Sequence, residues 1–259
     1  MTSKSKRLSR HAPLFALVFL LLGALFLWEI AAQTGAINTV FFSSPSLIWQ
    51  EFLLLCQTGL LWRHLSVTMH EALLGLFYGC VLGTIAGLLL GANKTLSALF
   101  MPLLVGLNSV PKLALAPLII LWFGIGLTSK VLMAGLMVFF IFTFNLYAGY
   151  RSVEVSLVNS VRLLGGTRRQ IVRHVVWPSC LPWFLTSLRA GLGLSVSGAV
   201  VGEFLGASRG LGWLIQDAGS RYNLTRVLCC VFVIIAVMML LDWLIGRLDR
   251  RLLKWRVEV

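Results

Sequence analysis

The chain has 259 residues, 58% of them hydrophobic and only 12% charged, with a mean hydropathy of +0.90. Soluble domains carry roughly half apolar and a quarter charged residues, so a soluble globular protein is excluded. A net charge of +13, from 22 Lys and Arg against 9 Asp and Glu, would point to nucleic acid in a soluble chain, but the placement of these cations within an apolar chain excludes that.

In chain order, six runs are apolar and long enough to cross a bilayer as helices of about 20 residues: 13–32, 66–91, 97–122, 129–148, 181–202 and 225–246. The expected fold class is therefore all-α, a polytopic membrane protein of about six transmembrane helices forming one domain over 1–259. The first run follows Lys4, Lys6, Arg7 and Arg10. A cleavable signal peptide begins in the same way, but the length of the run and the five spans behind it favour an uncleaved helix.

The second run carries Gly75, Gly79, Gly83, Gly87 and Gly91, each four residues from the next. That spacing lays a smooth stripe along one helix face where a second helix can approach closely. Static packing and a sliding surface are both open. The third run contains Pro102, Pro111 and Pro117. Proline inside a spanning helix needs neighbours or water to re-satisfy the freed carbonyls, so this run is expected to be kinked or broken, and broken backbone at membrane depth lines a cavity. Lys112 then either offers a cation to an anionic solute or snorkels to the interface.

Between the fourth and fifth runs, residues 150–180 form a polar, basic segment containing Arg162, Leu164, Gly165 and Pro178. A short amphipathic helix, a glycine turn and a proline at the next span are expected there. Arg189 stands about eight residues into the fifth run, roughly 12 Å deep at 1.5 Å per residue. A functional charge, an ion pair and an aqueous vestibule are all open for it.

Cytoplasmic loops are enriched in Lys and Arg. With the N-terminus inside, the cytoplasmic cations are the first four, then Lys94, Arg151, Arg162, Arg168, Arg169, Arg173, Arg247, Arg250, Arg251, Lys254 and Arg256, fifteen of the 22. Both termini are thus expected in the cytoplasm. Arg63, Lys130, Arg209, Arg221 and Arg226 remain outside.

Catalytic motifs are missing. Lys94-Thr95 follows Asn93, and position 88 is leucine, so the phosphate-binding loop lacks both glycines; His70-Glu71 has leucine at 74, so the zinc-protease spacing fails. The five cysteines show no ligand spacing and are expected to be packing residues. An ion-coupled secondary transporter or channel is the alternative, but Glu29, Glu71, Glu203 and Asp242 are expected toward span ends and not at the midplane. An intramembrane enzyme has no catalytic set to stand on.

The segment from Asn159 to Pro178 resembles the cytoplasmic loop of type I ABC importer permeases, specifically the nitrate, sulfonate and taurine branch. The family pattern is Glu-Ala-Ala, three residues, Gly, nine residues, Ile-x-Leu-Pro. Gly165 occupies the glycine, Val175 follows after nine intervening residues and Pro178 closes it, while Asn159, Ser160 and Val161 replace Glu-Ala-Ala and Trp177 replaces the leucine. The resemblance extends over about 64–220, through Pro111 to Pro117, Leu121 to Gly126 followed by Ser129-Lys130, Asn145 with Gly149 and Arg151, Leu188-Arg189, and Glu203 leading to Gly210-Leu211-Gly212. Glu71 departs from it, because many relatives have arginine near this point.

The resemblance implies a homodimer of non-catalytic permeases in the bacterial inner membrane, surrounded by membrane lipid and binding no nucleic acid. Two ATPase subunits would hold ATP and Mg, with no cofactor bound by this chain, and a periplasmic binding protein would deliver the solute. It makes Asn159, Ser160, Arg162, Leu164, Gly165, Val175 and Pro178 the ATPase-coupling loop. Pro111, Lys112, Pro117, Asn145, Arg189 and Glu203 become candidates for the translocation path or gate.

Overall fold

The computed structural model describes residues 3–252; Lys254 and Arg256 lie outside the described residues, as do the side chains of Lys4, Lys6, Arg7 and Arg10. The described chain is helical: α1 Ser3–Gln33, α2 Thr39–Phe42, α3 Pro45–Gln57, α4 Leu60–Ala92, α5 Lys94–Ser109, α6 Lys112–Phe123, α7 Leu127–Arg151, α8 Val155–Leu163, α9 Arg168–Ile171, α10 Trp177–Gly206, α11 Leu211–Ser220 and α12 Leu224–Leu252. Four stretches are long and apolar enough to cross a membrane: α4, α7, the continuous helix Arg168–Gly206, and Leu224–Arg251. The bent pair α5 and α6 adds a broken fifth, and α1 carries a shorter apolar portion at Phe19–Gln33.

Two compact units are present, Met1–Leu61 with Ile215–Val233, and Trp62–Leu214 with Ile234–Val259. In the first unit, Ser44 caps α3 by accepting from Leu47 N–H at 3.3 Å, and Pro45 takes the first helical position, where no N–H is needed. The Ser46 N–H donates to Glu29 Oε2 at 3.0 Å, tying α3 to α1. Arg226 Nε donates to Glu51 Oε1 at 2.6 Å and ties α3 to the start of α12.

In the second unit α7 is the central helix, with α4 on one side and α10 on the other. Between apolar segments in lipid there is little hydrophobic drive, so close packing of small residues must hold helices together. All five stripe glycines of α4 face α7. A Cβ on Gly83 would come within 2.6 Å of the Phe139 carbonyl oxygen and 2.7 Å of Phe142 Cβ, and one on Gly87 within 2.6 Å of the Thr143 carbonyl oxygen. On the other side, a Cβ on Gly198 of α10 would come within 2.6 Å of Ala134 Cα. The backbones are in contact, so the stripe is a packing face. Leu76, Val138, Phe142, Leu146 and Leu192 fill the space between the three helices. Cys180, Cys229 and Cys230 are buried, Cys56 and Cys80 half-buried, and all five are unpaired thiols.

Gly83→Leu is expected to abolish recovery of folded protein, since overpacking costs about 1–3 kcal/mol even where neighbours can move, and here the neighbour is backbone. Gly106→Ala, with nothing within 4 Å of a Cβ, is the matched control. Size-exclusion profiles of fluorescently tagged variants check this; a monodisperse Gly83→Leu protein would refute the packing role.

Two boundaries differ from those expected. The third run breaks only at Val110-Pro111, where α5 and α6 meet at 94°. Val110 is extended, at φ −66° and ψ 129°, because a residue before proline is driven out of the helical region. Pro102 and Pro117 lie inside α5 and α6. The fifth span begins at Arg168, not beyond Pro178. The helix passes Pro178 by widening into a π turn over Val172–Val176, in which Trp177 N–H reaches back five residues to the Val172 carbonyl. Proline has no N–H for the residue four back and its ring crowds that carbonyl; the wider turn makes room for it.

Candidate functional site: a cavity at a helix break and the loop beside it

The break between α5 and α6 opens a cavity of about 600 Å³. Its polar lining is Asn108, Lys112 and Asn145, and its apolar lining is Leu113, Met137, Phe140, Ile141, Phe144 and Leu194. Helix α5 ends with carbonyls that the broken α6 cannot serve. Lys112, the first residue of α6, folds back and donates from Nζ to the Asn108 carbonyl at 2.8 Å and to Asn108 Oδ1 at 2.9 Å. Its ammonium also stands 5.3 Å from the centre of the Phe140 ring, within cation–π range. A cation at a helix C-terminus is favoured by the helix dipole. Lys112 therefore folds back over the break between α5 and α6.

Asn145 donates from Nδ2 to Ser187 Oγ at 2.9 Å, joining α7 to α10. It also lines a second, more polar cavity of about 500 Å³ with Ser152, Glu154, Leu157, Ser179, Pro182, Trp183 and Thr186. Asn145 is thus shared by the walls of both cavities, and the second is bounded by Glu154 and Leu157 of the segment that holds α8.

That segment is built from consecutive helix-end devices. Helix α8 closes in a Schellman motif: Gly165 N–H donates to the Arg162 carbonyl at 2.9 Å, and Gly166 N–H to the Val161 carbonyl at 2.9 Å. Gly165 holds φ +76°, a left-handed conformation that favours glycine. Thr167 and Gln170 then form a capping box that starts α9, with Thr167 N–H donating to Gln170 Oε1 at 2.7 Å. The turn projects Leu163 and Leu164, each 88% exposed. Asn159, Ser160, Arg162 and Gly165 are exposed around them, whereas Val175 is buried and Pro178 half-buried within the following helix.

Of the other residues singled out by sequence, Pro111 makes the break, and Pro117 sits inside α6 without lining the cavity. Arg189 Nε pairs with Asp242 Oδ1 at 3.0 Å, on α10 and α12. Glu203, at the far end of α10, is fully buried. Its Oε1 accepts from Thr68 Oγ1 at 2.7 Å and its Oε2 from Gly212 N–H at 2.6 Å, while Thr68 Oγ1 accepts from Leu211 N–H at 2.7 Å. A carboxylate and a hydroxyl thus serve the first N–H groups of α11. Gly210 and Gly212 lie so close over Glu203 that a Cβ on either would overlap it, which explains why glycines flank Leu211. His64 completes the cluster, accepting from Gly210 N–H at 3.0 Å and stacking on Trp213.

Beside this cluster lies a feature the sequence reading missed. Lys130 Nζ donates to Glu71 Oε1 at 2.8 Å, with the two side chains 9% and 3% exposed. Lys130 is therefore a paired cation in the first turn of α7, and Glu71 is its buried partner on α4. In this chain Lys130 supplies the counter-ion for the carboxylate at position 71. Two opposite charges, each alone in an apolar run, were the available signal.

Residues 79–254 match the family model described as binding-protein-dependent transport system inner membrane component. The chain is 33% identical to the taurine transport system permease protein TauC of Escherichia coli, with 98% of this chain and 96% of that protein covered. It is 34% identical to the putative aliphatic sulfonates transport permease protein SsuC of Bacillus subtilis, with 89% and 83% covered. A solved inward-facing conformation of the MetNI methionine ABC transporter superposes with a TM-score of 0.68 at 22% identity, covering 76% of this chain and 97% of that one.

Proposed function

The chain belongs to the family of binding-protein-dependent transport system inner membrane components, and on that premise we propose how it carries solute. It is the membrane-spanning permease subunit of an ATP-driven importer, and its solute is small, of the kind the taurine and sulfonate relatives are named for. Two copies pair, each docking its α8 turn into a separate ATPase subunit that holds ATP and Mg. A periplasmic binding protein delivers the solute from the other side. Both termini face the cytoplasm, in keeping with the fifteen cations on that side.

The observation that carries this reading is the junction at Asn145. The cavity at the α5–α6 break and a more polar one lined by Glu154 and Leu157 of the α8 segment share Asn145 in their walls. The path for solute and the surface for the motor are thus served by the same helices, α7 and α10. The continuous helix Arg168–Gly206 links α9 at the loop to the Asn145–Ser187 contact, so a displacement of the loop is carried to the cavity. ATP drives the cycle by binding one global state of the assembly better than the other.

Gly165→Val tests the coupling assignment. A β-branched residue at φ +76° is strained, so the Schellman turn is lost while the spans, tens of ångströms of packed helix, persist. The expected result is a permease that reaches the membrane but no longer stimulates ATP hydrolysis when solute-loaded binding protein is added. Unimpaired assembly with the ATPase and unimpaired coupled hydrolysis would refute it.

A further inference from the structure

We propose that Lys112 makes the permease itself a filter for small organic anions, admitting solutes with one anionic group on an apolar body and disfavouring inorganic anions and neutral molecules. This rests on the reading of the chain as a permease for a sulfonate-like solute and adds the residue that selects it. Lys112 is the one charged residue among those lining the 600 Å³ cavity. Among the described residues no carboxylate lies within ion-pair distance of it, whereas Lys130, Arg189, Arg221 and Arg226 each have one. An ionisable group in a spanning segment without a counter-ion is costly, and such groups mark solute paths.

The geometry leaves the ammonium competent for a ligand. An ammonium has three N–H donors, and Asn108 takes two of them at one residue. The third, and the Nδ2 amide of Asn108, are free to meet an anionic group. Around them stand six apolar side chains, Phe140 and Phe144 among them. These walls offer no donors to replace the water around a nitrate-sized ion, and an incompletely paired ion in such a place is penalised heavily. An alkyl or aryl body, by contrast, gains about 25 cal/mol for each Å² it buries there. A neutral molecule forfeits the charged hydrogen bond that repays desolvating Lys112. Charge and apolar body are both required.

The test uses the complete permease and ATPase assembly in nanodiscs, without binding protein, so that only the permease cavity selects. Ethanesulfonate, nitrate and the neutral ethyl methyl sulfone are titrated calorimetrically against wild type, Lys112→Gln and Lys112→Arg. Glutamine retains a donor for the Asn108 carbonyl and removes the charge, so loss of the α5 cap alone does not confound the result. Ethanesulfonate is expected to bind wild type at least about tenfold more tightly than either other probe, a difference of about 1.4 kcal/mol or more. That preference is expected to vanish in Lys112→Gln and persist in Lys112→Arg. Equal ethanesulfonate affinity in wild type and Lys112→Gln, or nitrate binding as tight as ethanesulfonate, would overturn the filter and make Lys112 only a helix cap. ATP-dependent uptake by the same assembly would still stand in that case; conversely, Lys112-dependent binding by a chain that never pairs with an ATPase would overturn the importer reading and leave the filter.

Discussion

Lys130→Met is expected to unfold this protein more readily than any other single change at a charged position, costing about 3–5 kcal/mol. The pair it breaks is dry on both sides. Glu71 Oε2 already lacks a partner, and the Glu203 carboxyl lies beside it, so removing the ammonium leaves two acidic groups buried with no cation. The cost falls on the junction of α4, α7 and α10, where Glu203 and Thr68 also hold the start of α11. Replacing both members, Glu71→Leu with Lys130→Met, is expected to recover most of the loss, because well-packed apolar residues commonly match or exceed a buried pair. The midpoint of thermal aggregation in detergent for the two single variants and the double variant decides this. A double variant no better than the sum of the singles would show that the ion pair is not the interaction that matters there.

The second large effect is on coupling. Leu163→Asp with Leu164→Asp places two charges where two leucines are each 88% exposed among the described residues. On the coupling role proposed for α8, these leucines are anchors for the ATPase, and truncating buried anchors of such an interface costs about 2 kcal/mol or more each, of order thirtyfold in affinity. Two charges forced into that interface add desolvation to the loss. Copurification of the ATPase is expected to fall at least about a hundredfold, while the amount and monodispersity of the permease stay unchanged, since neither side chain packs in the fold. Undiminished copurification would remove α8 from the interface.

How much of this was legible beforehand follows from the range of each interaction. The spanning helices rest on composition within single runs, and the Gly75 to Gly91 stripe on one helix period, so both could be read directly. The loop could be read as far as its turn, since Gly165 and Thr167 act on neighbours within three or four residues. The break could be expected somewhere in the third run, but three prolines competed for it; only at Pro111 does Lys112 fold back to serve the freed carbonyl of Asn108. The start of the fifth span was misplaced because a proline inside an apolar run reads as a beginning, whereas a π turn at Val172–Val176 lets the helix continue through it. The partner of Lys130 could not be read, because counting cations along loops ignores partners and Glu71 is 59 residues away. Arg189 and Asp242 are likewise brought together only by the packing of α10 and α12. What sequence could not supply was every pairing between spans.

The most direct measurement is uptake into proteoliposomes containing this chain, its ATPase and its binding protein, with ATP supplied on the ATPase side. Uptake is expected only when ATP and the ATPase are both present, and it is expected to fail with the Leu163→Asp, Leu164→Asp protein. Uptake by the permease alone, driven by an ion gradient with no ATPase present, would contradict an ATP-driven importer and restore the ion-coupled alternative.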